Sequence, residues 1–195
     1  MAEAVAVGNA GVNEEWMIVI TTDHGRKLPD SKGHGGQSDG ERSVWVVTNH
    51  KNTNAYFHKL PGTVDIMPSI MHHLEIDIPQ KIRTEIDGTS FVGDIAVSNL
   101  KAEIVDSKIN LSWKSYGNKE PAILSVATTN NFKSGGKDDY KKIKEINSTV
   151  ESATIDVSEM PSDFYKVLLT TSKNTLNYWI VVNEKEAVDE EKSQL

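Results

Sequence analysis

Trp16-Met17-Ile18-Val19-Ile20-Thr21-Thr22-Asp23-His24-Gly25 begins the stretch whose reading decides the fold. A continuous apolar run of strand length ends in an Asp-His pair. A loop follows with five glycines, Gly25, Gly33, Gly35, Gly36 and Gly40, and a second histidine, His34. Residues 43–48 then make another apolar run. An unbroken run such as 16–20 is expected of a central parallel strand buried on both faces. Side chains just past the end of such a strand reach the crevice where open α/β sheets take ligands. Residues 16–49 therefore read as part of a divalent-metal site in an α/β layer.

The chemistry of the pair supports that reading. Asp23 offers a hard anionic oxygen and His24 a neutral imidazole nitrogen, both good zinc ligands. Gly25 permits the turn that lets both side chains converge. His34, among Gly33, Gly35 and Gly36, is uncrowded and free to fold back onto the same site or a neighbouring metal. An Asp-His pair equally suits a cap or a plain surface feature. Lys32 and Arg42 suit an anionic substrate or a solvated surface, and Asp39 and Glu41 suit partners that orient His34. His50 and His58 lie in a polar loop, His72 and His73 in a helix, and Asp65 and Asp87 suit turns or caps.

Working outward, residues 1–11 read as the last turns of a helix, with Gly8 or Gly11 as the stop. Pro61-Gly62 marks a turn, and Thr63 is the expected N-cap of a helix with Val64, Met67, Ile70, Met71 and Leu74 on one face. From Val97 onward the pattern is short strands and turns. Strands are expected at 101–105, 108–113, 123–128, 140–146, 153–157, 165–171 and 178–182. Seven strands in about 85 residues is the spacing of a β-sandwich. Residues 184–195 are acidic and polar, the composition of a disordered tail. The expected division is 1–95, 96–183 and 184–195: a partial α/β core, an all-β sandwich and a tail.

Composition narrows the function. The 195 residues contain no cysteine, so metal ligands must be His, Asp, Glu or hydroxyl groups. A net charge of -7 argues against a nucleic-acid surface, which needs a basic patch. The densest basic cluster, Lys141, Lys142 and Lys144, is flanked by Asp138, Asp139 and Glu145 and reads as a solvated strand or turn. No run of about 18 apolar residues spans a membrane. The first residues lack the basic region of a signal peptide.

The ordered set T-T-D-H-G, G-H-G-G-Q-S-D-G-E-R-S-V-W-V-V-T-N, T-V-D-I-M-P-S-I-M-H-H-L-E-I and E-I-D-G-T-S-F resembles the C-terminal part of the alkaline phosphatase superfamily. Its closest look is to type I phosphodiesterases/nucleotide pyrophosphatases and sulfatase-like members, over roughly residues 1–93. The resemblance implies a hydrolase of small phosphate or sulfate esters with two metals, commonly zinc. It implies that Asp23 and His24 hold the metal that also carries the nucleophile, and that His34 completes the shell of the second. The family's nucleophile and remaining ligands belong to an N-terminal half that this sequence does not show; Thr21 and Thr22 do not match the nucleophile. This chain is thus expected to be a C-terminal portion, inactive alone, of a periplasmic or extracellular parent.

Residues 97–182 resemble a fibronectin type III-like sandwich, with Trp113 in the core and Tyr165 at the corner before a late strand. Trp179 is also expected in the core. Residues 129–140 read as a hairpin connection or a contact for a glycan or protein. The competing reading of the whole is a non-catalytic sandwich binding module for glycan or protein that carries a degenerate half-domain.

Overall fold

A computed structural model describes residues 15–59, 61–117 and 119–182. The expectations for a helix end before residue 12 and for an acidic tail from residue 184 lie outside the described residues. The chain divides into two compact units: residues 15–76 with 90–93, and residues 77–89 with 94–182. Among the described residues the protein is mostly antiparallel β, with few helices. No helix among them is long and apolar enough to cross a membrane.

In the first unit the apolar runs do form strands, but short ones. Strand β1 (Val19–Thr21) pairs with β2 (Val46–Thr48) in a two-stranded sheet. The pairing is antiparallel, with Val19 opposite Thr48 and Thr21 opposite Val46. This corrects the expected central parallel strand. A doubly covered strand needs neighbours on both edges and layers on both faces, and β1 and β2 have only each other among the described residues. Accordingly β1 is half-buried, and Trp16 and Trp45 are 56% and 51% exposed. Asn49 lengthens the pairing: its Oδ1 accepts from Ile18 N at 2.7 Å and its Nδ2 donates to Trp16 O at 2.9 Å.

A 3-10 turn at Thr63–Asp65 leads into helix α2 (Ile66–His73); helix α1 is the single turn Asp39–Arg42. The start is fixed by Asp65 rather than by the expected Thr63. The buried Asp65 carboxylate accepts from Gly62 N at 2.7 Å and from the Tyr56 hydroxyl at 2.9 Å. Ser69, fully buried, donates to Asp65 O and accepts from Phe91 N. So α2 buries Pro68 and Ser69, while Val64, Met67, Ile70 and Leu74 of the expected apolar face remain exposed.

Gly93 closes this unit. Its φ of +71 suits glycine, and a Cβ there would fall inside the His72 ring. Gly93→Ala is expected to destabilise the first unit by about 1–3 kcal/mol, the usual cost of a strained backbone position. Faster amide exchange in α2 checks it, with exchange in the second unit unchanged.

The second unit holds two antiparallel sheets, ordered β3-β4-β7 and β6-β5-β8-β9. Their strands are β3 (Val97–Val105), β4 (Lys108–Ser115), β5 (Pro121–Ala127), β6 (Lys141–Asn147), β7 (Ser152–Asp156), β8 (Phe164–Thr170) and β9 (Thr175–Val181). Alternate residues of both sheets, among them Ile109, Leu111, Leu124, Val126, Val167 and Leu169, enter one apolar core. That layout is compatible with a β-sandwich. The β3–β4 hairpin turns on Asp106 and Ser107, both at positive φ, as a two-residue hairpin loop of matching twist requires.

Two aromatic side chains bury a polar tip with a partner. Trp113 is 5% exposed and its Nε1 donates to Ser148 O at 2.7 Å. The Tyr165 hydroxyl donates to Met160 O and accepts from Ser162 N, both at 2.9 Å. Trp179, expected in the core, is instead 44% exposed. Its ring lies 4.8 Å from Lys166 Nζ, on the face of the sheet away from the core.

Strand β8 is buried on both faces. Tyr165, Val167 and Leu169 enter the core, and Lys166 and Leu168 are covered on the other side. Helix α3 (Gln80–Arg83) lies in the segment 77–89 that supplies part of this cover. Lys166 Nζ meets Glu85 Oε2 at 2.6 Å and Asp138 Oδ2 at 2.7 Å, with all three side chains at 6% exposure or less. Tyr140 donates to the second oxygen of Glu85, and Thr129 and Asn131 N donate to the second oxygen of Asp138. Asp138 thus fastens the loop at 129–140 from within, while Phe132 in that loop stays exposed. Lys141 and Lys142 of β6 are exposed on an edge strand, where they discourage pairing with another sheet, while the half-buried Lys144 donates to Thr154 O at 2.8 Å.

Candidate metal site at the end of strand β1

The strand end and the glycine loop are built as one piece. The backbone from 25 to 27 acts as a spine to which two later parts of the loop return. Gly25 N donates to Glu41 O at 2.8 Å, Arg26 N to Gly40 O at 3.1 Å and Lys27 N to Gly33 O at 2.9 Å. The return at Gly33 carries His34 back to His24. Gly25 matters here through closeness: a Cβ would collide with the Gly40 carbonyl oxygen. Its φ is not in the left-handed region, so the expected turn-making role gives way to a packing one.

His24 and His34 stack, with ring centroids 4.6 Å apart and planes 18° from parallel. His24 Nδ1 sits 2.7 Å from Gly25 O. A carbonyl only accepts, so in the neutral ring Nδ1 carries the proton and Nε2 keeps its lone pair. The Asp23 carboxylate is 3.5 Å from Nε2 and also accepts from His24 N at 2.9 Å. Holding the distal ring nitrogen on a backbone carbonyl is how proteins orient a histidine ligand. Asp23 and His34 are exposed, and His24 is about one-third exposed. Next to them, the Thr22 hydroxyl is buried without a hydrogen-bond partner among the described residues.

The loop is held by Glu41, one of the few buried carboxylates. Its Oε1 accepts from Gly36 N at 3.0 Å and its Oε2 from the Ser38 hydroxyl at 2.6 Å. The Ser38 bond, then the Gly36 N–H, hold its pKa below the usual carboxylate range. Glu41 was expected to orient His34 directly; it shapes the loop that carries His34 instead. Asp39, the other expected partner, pairs with Arg42 at 2.8 Å. Because the folded pKa of Glu41 is depressed, its contribution to loop order is complete above pH 4.5 and is lost as pH falls through the folded value. Protection of the Gly36 amide relative to its intrinsic exchange rate is therefore expected to fall below pH 4.5, and Glu41→Ala to remove that acid-dependent loss of protection.

The remaining histidines lie elsewhere. His50 meets His73 edge-on at 5.3 Å, and His73 Nε2 is 3.2 Å from Glu15 O. Burial, then the neighbouring His73, depresses the pKa of His50. His58 packs edge-on against Phe57, and His72 against Gly93. Lys32 is exposed.

Tested as metal ligands, Asp23, His24 and His34 have the right donor chemistry and a correctly oriented His24, but they do not enclose an ion. No group of three His, Asp or Glu side chains among the described residues is arranged to hold one. The fit is to part of a shell. No protein-family model matches the chain, and no curated protein matches it.

Proposed function

We propose that this chain contributes part of the metal site of a hydrolase acting on phosphate or sulfate esters, of the alkaline phosphatase superfamily. The observation that carries the reading is the His24–His34 stack, with Nδ1 of His24 turned onto Gly25 O and Nε2 turned toward Asp23. The motif order around these residues supports it. The partnerless Thr22 hydroxyl also supports it, because buried hydroxyls find partners and the described residues give this one none.

In this reading Asp23 and His24 hold one divalent metal and His34 contributes to a second, with the remaining ligands and the nucleophile outside the described residues. Bound zinc would supply Lewis-acid stabilisation of the transferred group and activation of the attacking oxygen. The chain's own contribution is orientation. Gly25 O fixes the tautomer of His24, Glu41 fixes the loop, and the return at Gly33 sets His34 beside His24. The exposed flank of the pair leaves room for an ester to approach.

The second unit is read as a fibronectin type III-like accessory module. Trp113 in the core and the Tyr165 hydroxyl bonded back to Met160 support that assignment. One observation favours the competing reading, a sandwich binding module with a degenerate half-domain: the apolar core gathers in the second unit, whereas the first exposes Trp16, Trp45 and Leu74. Metal analysis of the purified protein, with and without His24→Ala, tests the choice. Zinc lost on substitution supports the hydrolase; no bound metal in either protein supports the module.

A further inference from the structure

Past the end of β2 the chain bends on a histidine side chain. His50 Nδ1 accepts from Asn52 N at 3.2 Å. The residues that follow hold the stretch 90–93. Asn54 N donates to Phe91 O at 3.0 Å, and Asn54 Nδ2 donates to Ser90 O and Gly93 O at 3.0 and 2.9 Å. Thr53 pairs antiparallel with Val92, and Gly93 N donates to Asn52 O at 3.4 Å. Phe91 and Val92 are both buried. The bend therefore places the residues that dock a buried stretch, and its first bond needs a lone pair on a titratable ring. We propose that His50 is an acid-sensitive clasp for the docking of 90–93, closed while the ring is neutral and opened when it takes up a proton. The inference does not rest on the ester-hydrolase reading.

Protonation acts first through geometry. A neutral imidazole has one accepting nitrogen and an imidazolium has none. A proton on Nδ1 sets two N–H donors face to face, and the bond from Asn52 N is lost. The surroundings oppose the charge as well. His73, the last residue of α2, meets His50 edge-on with ring centroids 5.3 Å apart, and His72 beside it packs against Gly93. Both add like charge in acid. Glu15 favours the cation, but it is exposed, and water and salt screen it. Lys51, next in the chain, is exposed too. Burial, then His73, holds the pKa of His50 below its ordinary value. With the folded value depressed, the contribution of the clasp is complete above pH 6.5 and is lost as pH falls through the folded value.

The test is hydrogen exchange of the full chain in metal-free buffer, with each amide's protection taken relative to its intrinsic rate. Between about pH 7 and pH 5, where an imidazole changes charge, protection at Asn52, Asn54 and Gly93 is expected to fall about three- to tenfold, the scale of one lost hydrogen bond. The imidazole resonances of His50 are expected to titrate over the same interval. His50→Asn removes the titration but keeps an acceptor, since an Asn side chain bonds the amide two residues on. Its protection is expected to stay level across that interval. His73→Gln removes one opposing charge and is expected to move the loss to higher pH. Equal protection at both ends of the interval in the parent chain overturns the proposal, as does a loss that does not follow the His50 titration. Both are read in the parent itself, whether or not a variant folds. A loss that persists unchanged in folded His50→Asn also overturns it.

Discussion

Lys166→Ala is expected to lower the stability of the second unit by about 3–5 kcal/mol, the scale seen when one partner of a buried ion pair is removed. The reason is the company Lys166 keeps. Glu85 and Asp138 each place an oxygen within 2.7 Å of its Nζ, and all three side chains are almost wholly screened from water. Removing the cation leaves two carboxylates buried beside each other. Hydrogen exchange of β8 amides reads the effect locally, apart from the first unit. A Glu85→Gln companion change is expected to recover part of the loss, which separates stranded charge from lost packing.

The pH dependence of this cluster follows from the same contacts. Burial raises the Asp138 pKa, but the bonds from Lys166, Thr129 and Asn131 N outweigh it and leave the carboxyl below its ordinary value. Burial lowers the Lys166 pKa, and its two carboxylate partners more than reverse that. Burial and the charge of Glu85 push the Tyr140 phenol up. A depressed Asp138 contributes stability that is complete above pH 3.8 and lost as pH falls through its folded value. A raised Lys166 contributes stability that is complete below pH 10.5 and lost as pH rises through its folded value.

The second large effect concerns chemistry. If Asp23 and His24 hold the metal as proposed, His24→Ala and Asp23→Ala are each expected to lower ester hydrolysis by the proposed enzyme at least about 100-fold. Even partners behind metal ligands cost about 10–100-fold when lost. Assays with 4-nitrophenyl phosphate, bis(4-nitrophenyl) phosphate and 4-nitrophenyl sulfate would check the loss and separate the ester classes. Turnover retained at the parent's level, with metal content intact, would remove both residues from the site.

The strands of the second unit were legible because alternation survives wherever one face is solvated. In β4, Ile109, Leu111 and Trp113 are buried and Lys108, Ser112 and Lys114 are not. The start of β3 was not legible. Asn99 sits at positive φ and the register shifts between Ser98 and Lys101, so the alternation breaks before the run expected at 101. Helix α3 is one turn long, too short to show a period. The buried Lys166 had one sequence signal, a lone cation inside Phe164-Tyr165-Lys166-Val167-Leu168-Leu169, but its partners Glu85 and Asp138 lie 81 and 28 residues away. In the first unit, a short apolar run does not tell a central parallel strand from a half-covered antiparallel one, because both need the same residues. At the candidate site the return of His34 toward His24 was readable. The Gly25 O contact and the role of Glu41 were not, since both depend on how the loop closes.

The most direct test of the central claim is a zinc titration of this chain followed through the imidazole resonances of its histidines. The His24 and His34 signals are both expected to shift, with the change at His24 consistent with binding through Nε2 and weakened in Asp23→Ala. Zinc that leaves His24 and His34 unmoved, or that acts at His50 and His73 instead, would contradict the assignment.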